Sequence, residues 1–175
     1  RLAGEPPGRV LELPIVSGVV GQYGSVYDYY AMQAPRERPS GYSSVAPPET
    51  RPLPAVLGRL SCGDWPPGAP AERDQLGVRL FLFHAGVYEQ ARLDGAWFAW
   101  EALQARGYRT VAAGGGVSLL AERGGPAEPP PVREPNRAEP VLCAGWSAGR
   151  TTARSASLWL WGGGEVVLAL VPREP

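Results

Sequence analysis

The chain has 175 residues, the length of one domain with a small appendage, and its 17 Arg, with no Lys, balance 17 Asp plus Glu. A net charge of zero argues against a basic nucleic-acid groove and against a polybasic membrane patch. Gly (23) and Pro (20) make up about a quarter of the residues, yet 44% hydrophobic residues and aromatics in regular segments predict a folded core with some Pro-rich stretches.

The first predicted element is a strand, Val10 to Val16, β-branched and Leu-rich, with Pro14 limiting its ladder hydrogen bonds. A Tyr-rich stretch, residues 21–33, and a turn-rich piece from Ala34 to Pro54 follow. Leu53 to Leu60 predicts a short helix ending before Cys62-Gly63. Leu76 to His84 is the clearest strand, a near-continuous apolar run that suits a central strand of a parallel sheet. Asp94 is placed as the N-cap of the next helix and Gly107 as its stop. Leu93, Ala96, Trp97, Trp100 and Leu103 give that helix one apolar stripe. Arg109–Ala112 and Val117–Ala121 then read as a hairpin around the turn Ala113-Gly114-Gly115-Gly116.

Residues 126–140 hold six Pro and five charges and predict an extended, semi-rigid linker. Three further strands are expected at Val141–Trp146, Ala156–Trp161 and Glu165–Val171, the last two joined by Gly162-Gly163-Gly164. Thirty-five residues cannot bury a core of their own, so this unit must pack on the rest. The expected architecture is α/β (or α+β). A mostly parallel small sheet with flanking helices occupies residues 1–125, followed by a linker at 126–140 and a packed C-terminal β unit at 141–175. The first residue is Arg1 rather than Met, with no signal-like segment after it, which reads as a mature chain or an excised fragment. No apolar run reaches the roughly 18 to 20 residues needed to cross a bilayer.

Chemistry is sparse in the pattern. Gly145-Trp146-Ser147-Ala148-Gly149 matches the nucleophile elbow of serine hydrolases, but neither His nor Asp follows Ser147, and the next segment reads as strand. Gly18, Gly21 and Gly24 are spaced G-x-x-G-x-x-G, and without any Lys a P-loop is excluded. The single His, His84, ends the central strand, where α/β proteins often place functional groups. Its bland alternative is a hydrogen-bonded structural residue. The carboxylates Glu12, Asp28, Asp64, Asp74 and Asp94 are scattered, with no spacing that pairs any two. Tyr23, Tyr27, Tyr29, Tyr30 and Tyr42 could build a sugar-stacking platform or simply pack beside a loop. Cys62 and Cys143 lack metal-ligand spacing. Either they pair, closing a loop that the chain-entropy model values at roughly 4 kcal/mol, or they are two separate buried thiols.

Several of these stretches, in order over roughly residues 9–122, resemble the C-terminal soluble domain of polytopic bacterial membrane proteins of the GT-C glycosyltransferase type. The matching pieces are Val10-Leu11-Glu12-Leu13-Pro14, the Tyr27–Tyr30 segment, Ser40-Gly41-Tyr42-Ser43-Ser44, Leu76 to His84, and Gly107-Tyr108-Arg109 with its hairpin. Ser40 stands where that family usually has Asn, and Gln33-Ala34-Pro35 where it often has His. The terminal unit, with Gly145-Trp146-Ser147 and Leu158-Trp159, is similar to an appendage of some members.

The resemblance implies a polyprenyl-phosphate sugar donor and a catalytic carboxylate on a loop between transmembrane helices, outside this segment. The segment itself would be a non-catalytic extracytoplasmic domain on the bacterial cell membrane, partnered with an upstream transmembrane domain of the same chain. No cofactor, metal or nucleic acid is expected. Tyr29, Tyr42, Ser43 and His84 are the residues expected to contact an acceptor glycan. Two rival readings are a secreted hydrolase using Ser147 or a carboxylate with His84, and an interaction module docking through the Trp159/Trp161 hairpin.

Overall fold

The computed structural model describes residues 8–15, 57–91, 93–136 and the short pairs 141–142, 146–147, 150–151 and 158–159. Its centre is a four-stranded sheet of β1 (Arg9–Leu13), β2 (Val78–His84), β3 (Tyr108–Gly114) and β4 (Val117–Glu122) in the order β1-β2-β4-β3. β1 runs parallel to β2, with Leu11 opposite Phe81 and Glu12 opposite Leu82. β4 runs antiparallel to both β2 and β3. The fold is thus α/β or α+β, as the pattern predicts, but the sheet is mixed, with one parallel pair where a mostly parallel sheet was expected. The apolar run of β2 reports burial on both faces, and that burial is indifferent to the direction of its neighbours. Phe81 and Phe83 enter one apolar cluster, Leu80 and Leu82 the other.

The described helices bury their apolar sides on the Phe81/Phe83 face. They are a 3-10 turn (Gly58–Cys62), α1 (Ala69–Gln75), α2 (Ala85–Gln90) and α3 (Ala96–Ala105). The contacts there are largely aromatic. Phe83 meets Trp100 of α3 edge-on at 5.3 Å and stacks with Tyr88 of α2 at 5.0 Å, while Phe81 meets Tyr108 edge-on at 4.9 Å. Such pairs add about 0.5–1.5 kcal/mol each beyond their area burial. At the amino end of β2, Arg73 donates to the Tyr108 hydroxyl at 2.8 Å, and both Arg73 and Arg79 donate to Asp74. Burial pushes the Tyr108 hydroxyl above its ordinary value, with Arg73 opposing. The hydrogen bond from Arg73 holds the exposed Asp74 carboxyl below its ordinary value.

The apolar stripe of α3 is buried at Ala96, Trp100 and Leu103, and Gly107 closes the helix with φ +81°, its N–H donating to the Gln104 carbonyl at 3.0 Å. The start differs from the expectation. Gly95, not Asp94, occupies the cap, and Asp94 is exposed. Gly95 lies on the 3-10 turn so closely that a Cβ there would stand 2.5 Å from the Cys62 sulfur. Of the helix predicted at Leu53–Leu60, residues 53–56 lie outside the described part, and the remainder is the 3-10 turn, ended by Gly63 at φ +72°. The hairpin turn is two residues long, Gly115 and Gly116 at φ +58° and +76°, the signs a type I′ turn requires. α1 and α2, only 7 and 6 residues long, were not anticipated, because fewer than two turns carry no readable period.

Residues 126–136, read as linker from composition, lie against α3 and β3. The Glu128 N–H donates to Gln104 Oε1 at 2.9 Å, the Trp100 indole donates to the Glu128 carbonyl at 2.9 Å, and the Thr110 N–H donates to Glu128 Oε1 at 3.0 Å. Val132 packs on the helix-side core. In the C-terminal part β5 (Val141–Leu142) pairs with β8 (Leu158–Trp159) and β6 (Trp146–Ser147) with β7 (Arg150–Thr151), both antiparallel. The strand expected at Glu165–Val171, the Gly162–Gly164 turn and Trp161 lie outside the described residues.

Candidate functional site

Side chains alternate across a strand, so in β1 Leu11 and Leu13 face the helices while Val10 and Glu12 face the other side. In β2 the same alternation puts Leu80, Leu82 and His84 on that second side. Parallel pairing sets Glu12 beside Leu82, one pleat short of His84. Two groups far apart in the chain therefore meet: His84 Nε2 stands 3.1 Å from Glu12 Oε2, with side-chain exposures of 3% and 0%. A buried carboxylate is costly without a polar partner, and the imidazole supplies one. A carboxylate fixed on an imidazole is also the geometry of an acid–base relay, but one this deeply buried has no open approach for a substrate atom.

The carboxyl end of β2 is nevertheless where the surface opens. His84 passes directly into α2, and the Ala85 N–H donates to the Gly116 carbonyl at 3.0 Å. Beyond it lies a cleft of about 1340 Å³ between α2, the start of α3, Gly116 and residues 131–136. Glu89, Asp94 and Arg133 give it charge, and Leu93 and Val132 give it apolar surface. Such crevices outside the carboxyl ends of strands are where open sheets with helices bind ligands.

Among the residues predicted from sequence, the structure places His84 in the buried pair and Ser147 in β6, opposite Arg150 of β7. A nucleophile elbow needs a helix after its Ser, and here a strand pairing follows. Tyr29, Tyr42 and Ser43 lie outside the described residues, as does Cys143. Cys62 is buried and disulfide-bonded. Among the described residues there is no cluster of three His, Cys, Asp or Glu able to hold a metal ion. No described helix is long and apolar enough to cross a membrane.

Glu12 was read only as one of several scattered carboxylates. The missed signal was its setting, a single charge inside the otherwise apolar Val10–Leu13, which implies a buried partner. Residues 131–136 gave no comparable signal, since a Pro-rich composition does not say what the segment lies against. No family model, curated protein or solved structure matches this chain.

Proposed function

We propose that the chain is a non-catalytic extracytoplasmic accessory domain of a membrane glycosyltransferase-like protein, contacting the acceptor glycan or stabilising the membrane-embedded catalytic part. The observation that carries this reading is the Glu12–His84 pair. Two stretches of the resemblance, Val10–Pro14 and Leu76–His84, form adjacent strands, and Glu12 and His84 meet between them in the interior. That use favours a scaffold over an open acid–base site. The β6–β7 pairing at Ser147 speaks against the hydrolase reading, and a disulfide at Cys62 suits an oxidising compartment.

In this reading the polyprenyl-phosphate sugar belongs to the transmembrane partner. The acceptor glycan meets the cleft at the carboxyl end of β2, while Tyr29, Tyr42 and Ser43, expected contacts from the sequence, lie outside the described residues. His84 is buried against Glu12 and is not among the residues lining that cleft. Titrating the labelled chain with short neutral oligosaccharides and following its amide NMR spectrum tests this. Shifts are expected at Ala85–Glu89, Leu93–Asp94 and Val132–Arg133. Unchanged spectra at millimolar sugar would remove the glycan contact, and ester or glycoside hydrolysis abolished by Ser147→Ala would remove the non-catalytic reading.

A further inference from the structure

The zero net charge of the chain hides a separation of charge along the sheet. At the carboxyl end of β2 the cleft is acidic, with Glu89, Asp94 and Glu134 outnumbering Arg133. The amino end is basic. Parallel pairing brings Arg9 to Val78 there, its N–H donating to the Gly77 carbonyl at 2.9 Å. Arg73, near the end of α1, donates to the Tyr108 hydroxyl at 2.8 Å. Arg106 lies over the Trp65 ring at 4.3 Å, and the Arg123 N–H donates to the Gly107 carbonyl at 3.1 Å. With Arg79 and Arg109, this end carries six Arg among the described residues, against Glu72, Asp74 and Glu122. One of those carboxylates, Asp74, is shared between Arg73 and Arg79, and Arg79, Arg106 and Arg123 are exposed. β2 is seven residues long, so its two ends stand about 20 Å apart. That exceeds two screening lengths of about 8 Å at physiological salt, and each end acts on its surroundings separately.

We infer that the amino end of the sheet is a docking face for an anionic lipid surface, holding the domain with its cleft turned away from the bilayer. Attraction of Arg to acidic headgroups fades within one screening length, so a bilayer engages one end of the sheet and not the other. The inference rests on the proposed reading of a domain joined to an upstream transmembrane part. On that reading the chain reaches the sheet from the membrane through Arg9, at the same end as the other arginines. A bilayer there leaves the cleft open to an acceptor and keeps its carboxylates away from the acidic headgroups.

The test is sedimentation of the full chain with sucrose-loaded vesicles of phosphatidylcholine, with and without phosphatidylglycerol, at low ionic strength. The chain should sediment with the phosphatidylglycerol vesicles alone, and added salt should release it. Arg123→Glu should weaken this binding roughly tenfold. Arg133→Glu changes the net charge equally but at the cleft, and should leave the binding as it was. The unaltered chain supplies an independent check in bicelles that carry a headgroup spin label on phosphatidylglycerol. Amide signals of Gly77, Gly107 and Gly124 should broaden, and those of Ala85, Asp94 and Arg133 should persist. Broadening centred on the cleft overturns the inference, as does binding indifferent to phosphatidylglycerol or no binding to any vesicle. Retention on heparin by a chain that no vesicle holds would assign the arginines to a soluble polyanion, and overturns it too. The oligosaccharide titration reads the opposite end. Sugar shifts without vesicle binding remove only the docking face, and vesicle binding without sugar shifts removes only the glycan contact.

Discussion

A charged side chain in the interior constrains everything around it, and Glu12 and His84 do so for the sheet. The two stand 3.1 Å apart, both buried. Removing one partner of a buried pair strands the other and costs about 3–5 kcal/mol, whereas replacing both by apolar groups of similar volume is often nearly neutral. Glu12→Leu and His84→Leu, each alone, should therefore lower unfolding free energy by about that amount, and the double variant by much less than their sum. Urea unfolding of the four chains measures it. Additive losses would mean that the two residues act independently. This pair was half legible. His84 stood out as the only His at the end of the clearest strand, while Glu12 passed as one carboxylate of several, because pairing follows from strand register and not from spacing.

Between elements, Gly63 lets the end of the 3-10 turn approach α3 closely. A Cβ on Gly63, which has φ +72°, would stand 2.2 Å from the Phe98 carbonyl oxygen, a backbone atom that cannot swing away. Gly77 has a similar φ of +68° but open space where its Cβ would be. Gly77→Ala should thus cost only the left-handed backbone term, about 1–2 kcal/mol. Gly63→Ala should cost about 2 kcal/mol more through overpacking. Denaturant midpoints of the two variants compare them directly, and equal losses would mean that the turn and helix yield to one another. The prediction of α3 was sound at its Gly107 end, where a local glycine ends the helix, and one residue off at its start, where Gly95 packs on the distant Cys62.

For the molecule as a whole, Cys62 is disulfide-bonded, and the sequence contains one other cysteine, Cys143. A bridge between these two closes a loop of about 80 residues and is worth roughly 4 kcal/mol in the chain-entropy model. The denatured, unreduced chain should show no reactive thiol, and reduction should lower stability by about that amount. Two thiols labelled without reductant would contradict it.

Sequence by itself determined where β1, β2, α3 and the β3–β4 hairpin run and that the fold mixes helices with a sheet. Each of these rests on neighbours a few positions apart: an apolar run, a helical stripe, paired glycines in a turn. Only the tertiary structure decided the mixed strand directions, the meeting of Glu12 with His84, and the cleft beyond β2. It also decided the seat of the Pro-rich segment on Gln104, Trp100 and Thr110. Those depend on contacts between residues distant in the chain, and local periodicity reports how deeply a segment is buried without saying what buries it.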